Sequence, residues 1–374
     1  MIVGVPQETI PGERRVALVP DLVPKLTGAG LQVVVQEGAG AGAGFVDLSY
    51  REKGARLERE VLGASDILLK VQPPTAGEVG CIKEGAVLIG FLQPYTNVAG
   101  LKALAARKVT AFAMEFMPRI TRAQSMDALS AMSTLAGYKA VLIAAGHLPK
   151  VFPLLMTAAG TLAPARAFVI GAGVAGLQAV GTAKRLGAVV EAYDTRPAVR
   201  EQVESLGAKF VELALETKDA EARTGYATAQ SEDFYRRQRE LMATCVAAAD
   251  VVITTALVPG KRAPVLITEE AVCGMRPGSV VVDLAAEQGG NCALTEPGQE
   301  VVRHGVIIAG PTNLASTVPY HASQMYARNV TSYLLHLFKE GGVRLDLTDE
   351  LTRGPLVTHG GEVVHEAVKA LLQG

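Results

Sequence analysis

Cysteine is scarce in this 374-residue chain, and what there is lies scattered. Cys81, Cys245, Cys273 and Cys292 form no C-x-x-C and have no histidine pair nearby. That argues against a disulfide framework or a metal site and predicts reduced, mostly buried thiols in a cytosolic protein. No pair among the six histidines has metal spacing either. An excess of one charge is also missing: 36 Lys and Arg against 37 Asp and Glu leave a net charge of −1. The chain therefore carries no electrostatic footprint for nucleic acid or an anionic membrane. Long hydrophobic runs are lacking too. The most apolar region, 138–163, is interrupted by Lys139, His147, Pro149, Lys150 and Pro153. A bilayer span needs about 20 consecutive apolar residues, so no window is expected to cross a membrane and the protein is expected to be soluble. Low-complexity segments and short repeats are absent, and MIVGVPQETIPGERR reads as a strand and a charged loop, not a signal or transit peptide.

What is present is an alternation of apolar runs with helical stretches. One set of strand-like runs is Ile2–Val5, Leu31–Val35, Ile67–Lys70, Ala86–Gly90 and Val109–Ala113. A helical region, Ser125–Ala145, leads to a second set at Ala167–Ile170, Val189–Tyr193, Lys209–Val211, Val251–Thr255, Ser279–Asp283 and Val306–Ala309. Continuous apolar runs without in/out alternation indicate mostly parallel sheets. The expected architecture is α/β: two Rossmann-like, doubly wound parallel-sheet domains with a cleft between them, linked by long helices. Residues 1–137 with 319–374 would form a discontinuous first domain, completed by a tail that crosses back. Residues 138–318 would form the second, nucleotide-binding domain.

Within the second set, a strand runs into Gly171-Ala172-Gly173-Val174-Ala175-Gly176, a helix follows, and the next strand ends in Asp194, 18 residues after the last glycine. A bare G-x-G-x-x-G is weak evidence, but this one sits between strand and helix in a βαβ unit with an acid at the expected distance. Gly171 permits a tight turn, Gly173 close approach to a pyrophosphate, and Gly176 helix–strand packing; the helix N-terminus at Val174 offers N–H groups and partial positive charge to phosphates. Asp194 is placed for an adenosine ribose diol and would repel a 2′-phosphate, which favours NAD(H); Thr195 and Arg196 lie beside it, and Arg196 pulls towards NADP(H). Leu257 follows a strand end, where ligands of open α/β sheets bind.

The second informative region is Pro118–Ser130, PRITRAQSMDALS. Gln124, Asp127 and Ser130 fall at i, i+3 and i+6 and are expected on one helical face, where an amide, a carboxylate and a hydroxyl could meet a nicotinamide carboxamide and ribose. Arg119 is one loop away. The same spacing fits an ordinary helix start with Ser125 as N-cap. A third region, 215–237, is a polar connection long for its position; it reads as a lid or as a solvated insertion.

With VGVPQETIPGERRVAL, PRITRAQSMDALS, IGAGVAGLQA, YDTRP, TTALVPGKRAPVLIT and VDLAAEQGGN in hand, the chain resembles the NAD(H)-binding components (domain I, the alpha subunit) of proton-translocating NAD(P)+ transhydrogenases, a family related to alanine dehydrogenase. The resemblance implies direct hydride transfer between NADH here and NADP+ on a partner subunit, coupled to proton translocation by a separate membrane component. It implies a cytoplasmic protein, peripheral to the inner membrane through its partners, and a homodimer. Arg119, Ile120, Thr121, Arg122, Gln124, Asp127, Leu129 and Ser130 would serve the nicotinamide end, with Arg119, Gln124 and Asp127 catalytic and Gln124 bridging towards the partner's nucleotide. Gly225 and Tyr226 would belong to a mobile loop closing on the nucleotide, and Gln238 would contact it. Alanine dehydrogenase is the rival. That family holds pyruvate with an arginine and a lysine, kept here as Arg15 and Lys70. Its acid/base histidine is replaced by Gln93, and the aspartate of its D-Q-G-G motif by Glu287. Glutamine cannot shuttle a proton, so the substrate chemistry reads as dismantled and Arg15 and Lys70 as structural charges. An NAD-sensing protein without catalysis is the third reading.

Overall fold

The computed structural model describes residues 1–212, 232–258 and 260–373, which form two compact units: residues 1–132 with 315–374, and residues 133–314. The chain begins with β1 (Ile2–Val5), β2 (Gln32–Gln36), β3 (Arg56–Glu58), β4 (Ile67–Leu69), β5 (Val87–Gly90) and β6 (Thr110–Ala113). It goes on through a small hairpin, β7 (Leu155–Thr157) and β8 (Gly160–Leu162), to β9 (Arg166–Ile170), β10 (Val189–Tyr193), β11 (Lys209–Phe210), β12 (Val251–Thr254), β13 (Val280–Asp283), β14 (Glu300–Arg303) and β15 (Val306–Ala309). It closes with β16 (Phe338–Lys339), β17 (Gly342–Val343), β18 (Leu356–His359) and β19 (Glu362–Val363). Four described helices have 12 residues or more: α1 (Ala128–His147), α2 (Val174–Arg185), α3 (Glu232–Ala248) and α4 (Pro319–Leu337).

In the first unit the strand order is β19-β18-β6-β5-β4-β1-β2-β3. β1 to β6 pair in parallel, and β18 and β19 add an antiparallel edge. The second unit has the order β11-β10-β9-β12-β13-β15-β14, parallel except for β14. Both sheets reverse their winding at a central pair, β1/β4 in one and β9/β12 in the other. Such switch points are where open α/β sheets bind ligands, beyond the carboxyl ends of the strands. The strands are buried on both faces, as their unbroken valine, isoleucine and leucine runs require. The two-sheet α/β architecture is therefore the one expected. β3, β14 and the β18–β19 hairpin add to the strands expected from sequence.

Three local expectations are corrected. α1 is long and apolar enough, by length and composition, to cross a bilayer. Its apolar stretch opens at Ala128, ahead of the 138–163 region, and carries Lys139 as its one Lys, Arg, Asp or Glu residue. The thiols are not mostly buried: Cys81 and Cys273 end short helices and are exposed, Cys245 is half-buried, and Cys292 is buried. The polar connection expected to reach 237 gives way to helix at Glu232; Gly225 and Tyr226 lie outside the described residues.

Candidate functional site

In the second unit the glycine-rich turn follows the carboxyl end of β9, at the switch point. Gly171 has φ +95°, a left-handed conformation that costs glycine little, and its N–H donates to Tyr193 O at 2.8 Å. A Cβ on Gly171 would lie 2.5 Å from Thr255 Oγ1, and one on Gly176 would lie 1.8 Å from Gly171 O. These two glycines are thus demanded by the fold. Gly173 is different: a Cβ there would meet nothing within 4 Å. It is the N-cap of α2, and no side chain caps that helix. Bare first-turn N–H groups beside an uncrowded glycine are what a pyrophosphate needs, so the loop fits the nucleotide expected from sequence. Val174 stands exposed at the mouth of this turn.

Asp194 ends β10 and reaches back to the loop. Its Oδ2 accepts the Ala172 N–H at 2.7 Å, and its Oδ1 accepts the Arg196 N–H at 2.9 Å. The Arg196 guanidinium lies on the same carboxylate, Nε on Oδ1 at 3.0 Å and Nη2 on Oδ2 at 2.9 Å. Thr195 between them is half-exposed. Gln238 is buried, and its amide donates to the Tyr193 hydroxyl at 3.0 Å. Burial pushes that hydroxyl up to about 12.

The half-buried Leu257 sits in the turn after β12, and residues overlooked in the sequence hold that turn. Asn291 Oδ1 accepts the Ala256 N–H at 3.0 Å, while its Nδ2 donates to Ala256 O and Pro264 O. Asn291 is held in turn by Asp283. That fully buried carboxylate accepts from Thr254 Oγ1, Thr295 Oγ1 and the N–H groups of Ala285, Asn291 and Cys292. Five neutral donors take the place of a cation. Glu287 accepts the Asn313 N–H at 2.6 Å. The VDLAAEQGGN run contained the signal, but only the folded loop shows what its acid and amide grip.

In the first unit, polar side chains gather beyond the carboxyl ends of β1, β4, β5 and β6. Lys70 is buried and pairs with Glu78 at 2.9 Å and Glu8 at 3.4 Å. Arg15 is buried and chelated by Glu13, with Nε on Oε1 at 2.7 Å. Burial raises the Glu13 carboxyl, but the Arg15 guanidinium outweighs it and holds the group at about 2. Burial leaves Glu8 above its ordinary range, even against the pull of Lys70. Gln93 occupies a left-handed position, φ +51°, its N–H on Glu115 Oε1 at 2.7 Å. Tyr326 of α4 donates to Lys70 O. The two cations expected to be structural are thus each committed to a carboxylate.

The Pro118–Ser130 segment differs from the single helical face expected. Thr121–Met126 is a 3-10 turn, the chain breaks at Asp127 (ψ 84°), and α1 starts at Ala128. The cap is Asp127, not Ser125: its Oδ1 accepts the Ser130 N–H at 2.9 Å and its Oδ2 the Ser130 hydroxyl at 2.5 Å. Asp and Ser compete for such positions because a short side chain reaches the first-turn N–H groups, and Asp127 lies one residue closer to the helix than the apolar Met126. Asp127 and Ser130 are brought together. Gln124 is set apart on the 3-10 turn, exposed, and its side chain has no hydrogen-bond partner among the described residues. Arg119 and Thr121 are exposed, and Ile120 and Leu129 are half-buried. Arg122 reaches Asp349 at 3.0 Å. Asn329 of α4, which sequence reasoning overlooked, donates to Ser125 O at 3.0 Å and pins the turn.

Comparison with known proteins accords with this geometry. The family models for the N-terminal and C-terminal domains of alanine dehydrogenase/PNT match residues 4–136 and 140–366. The chain is 50% identical over 379 aligned positions to an NAD(P) transhydrogenase subunit alpha chain of Rhodospirillum rubrum, covering 98% of this chain and 99% of that one. A crystal structure of transhydrogenase from Sinorhizobium meliloti superposes with a TM-score of 0.89 at 45% identity, covering 97% of this chain and all of that one. Alanine dehydrogenase of Bacillus subtilis is 30% identical over 98% of this chain and 94% of its own. The chain belongs to the alanine dehydrogenase/PNT family and, within it, to the NAD(P) transhydrogenase alpha subunits.

Proposed function

We propose that this chain binds NAD(H) and positions its nicotinamide for direct hydride transfer to or from NADP(H) on a partner subunit, with a membrane-spanning subunit coupling the exchange to proton movement. One observation carries the choice over amino-acid dehydrogenation. The nucleotide-binding turn is intact, whereas the strand-tip cluster of the first unit offers Gln93 where an acid/base is needed and has Arg15 and Lys70 neutralised by Glu13, Glu8 and Glu78. An amide cannot take the proton that oxidative deamination releases. The bound nicotinamide supplies the hydride chemistry itself. The protein's part is to bind and orient. Gly173 and the α2 N-terminus receive the pyrophosphate, and Asp194 the adenosine ribose. Arg119, Asp127 and Ser130 serve the nicotinamide end, with the exposed Gln124 facing the partner's nucleotide. Such positioning alone can contribute several kcal/mol to a bimolecular transfer. The chain acts as a homodimer in the cytoplasm, peripheral to the membrane through its partners. The names of the similar proteins, which are subunits, support a multi-subunit assembly.

Reconstitution with an NADP(H)-binding subunit tests this. Hydride exchange between NADH and an NADP+ analogue is expected only in the mixture. NADH oxidation by this chain alone that depends on pyruvate and ammonium would overturn the proposal in favour of an alanine dehydrogenase.

A further inference from the structure

The Asp194 carboxylate is the group that a dinucleotide's adenosine ribose requires, yet its acceptor sites are already taken. A carboxylate offers about four lone-pair positions. Oδ1 receives the Arg196 N–H and Nε–H; Oδ2 receives the Ala172 N–H and Arg196 Nη2. The side chains of Asp194 and Arg196 are 8% and 14% exposed. Two of the four donors are backbone groups within the turn and cannot leave without unmaking it. The guanidinium is the one movable occupant.

From this we infer that Arg196 is an internal competitor for the ribose site and a specificity-determining residue. Its guanidinium must swing off Asp194 before a ribose diol can bind, and once displaced it lies where a 2′-phosphate would sit. The inference rests on the NAD(H)-binding reading above. Two consequences have opposite signs for two nucleotides. For NADH, Arg196 is a cost, because binding breaks a bidentate, charge-assisted pair. For NADPH, the displaced guanidinium is the nearest cation to offset the repulsion between Asp194 and a 2′-phosphate. Arg196 therefore lowers affinity for NADH while softening discrimination against NADPH. A residue that merely braced the turn would shift both nucleotides in the same direction.

The experiment is a fluorescence titration of the full chain with NADH and with NADPH, for the wild type, Arg196→Ala, Arg196→Met and Asp194→Asn. Arg196→Met keeps the aliphatic stem should the alanine variant fold poorly. Both arginine variants are expected to bind NADH about fivefold more tightly, as a half-buried ion pair of modest strength would dictate, and NADPH no more tightly than the wild type. Parallel changes for the two nucleotides, or weaker NADH binding in a folded variant, would overturn the inference and leave the NAD(H) reading standing. A wild type that binds no NADH would remove that reading, and the inference with it. A measurement without substitution closes the remaining gap. In nitrogen-15 spectra of the wild type, the Arg196 Nε–H should be protected in the free protein and lose that protection when NADH saturates. Protection that persists with NADH bound would also overturn the inference.

Discussion

Glu115, just past β6, has no cation to receive its charge. Its carboxylate accepts the Leu92 N–H at 3.0 Å and the Gln93 N–H at 2.7 Å, and so holds the turn that carries Gln93 in its left-handed conformation. Burial pushes the group from its ordinary 4.5 up to about 7, although the backbone N–H groups of Gln93, Glu115 and Leu92 pull the other way. A carboxyl whose folded value is raised contributes stability that is complete below about 4.5 and is lost as pH rises through about 7. Glu115→Gln removes that dependence. Relative to the wild type, the variant should gain on the order of 1–2 kcal/mol between pH 5 and pH 8, read from urea unfolding at both values. An unchanged difference between the two pH values would show that the acid is already ionised and satisfied at pH 5. Glu115 was invisible as a titrating group in the sequence, because its environment is built by β5, 22 residues away. Asp194 was legible, since its distance from Gly176 is fixed by one βαβ unit.

At the scale of the element, the turn and α2 separate two kinds of glycine. Gly176 and Gly137 are steric necessities: a Cβ on Gly137 would lie 2.1 Å from Ala175 O, beside the first turn of α2. Gly176→Ala should destabilise the chain by about 1–3 kcal/mol, because an added methyl on backbone cannot be relieved by a rotamer change, and should lose NADH binding with it. Gly173→Ala should leave thermal stability unchanged and still weaken NADH severely, because its Cβ occupies space that only a ligand would need. Thermal melts beside NADH titrations check both. A Gly173→Ala variant that binds NADH normally would place the pyrophosphate elsewhere. The glycine spacing was readable in sequence, but the division of labour was not, since it depends on Thr255 and Gly171 carbonyl positions. The start of α1 illustrates the same limit. Ser125, Asp127 and the residues around them are all acceptable near a helix entry, and the break at Asp127 followed from α4 pinning Ser125 O through Asn329.

At the scale of the molecule, a ligand that binds only the folded state stabilises it by mass action. NADH at a hundred times its Kd should add about 2.7 kcal/mol, and NADPH at the same concentration much less; differential scanning fluorimetry reads the two shifts. Equal shifts would contradict the role of Asp194. By itself the sequence determined two doubly wound sheets, because unbroken apolar runs alternating with helices have few other ways to bury both strand faces. It also determined the cofactor class, because the strand–glycine–helix–acid order is local chain geometry. The tertiary structure alone decided which polar groups are spent on the fold. Arg15, Lys70, Gln238, Asp283 and Asn291 all carry side chains capable of meeting a ligand, and each finds its partners in the fold instead. The pairing of Arg196 with Asp194, two residues apart, was likewise undetermined by their spacing, since the direction of both side chains is set by the turn that Ala172 closes. Hydrogen-bond partners are fixed by three-dimensional proximity and burial, neither of which the order of residues along a chain contains.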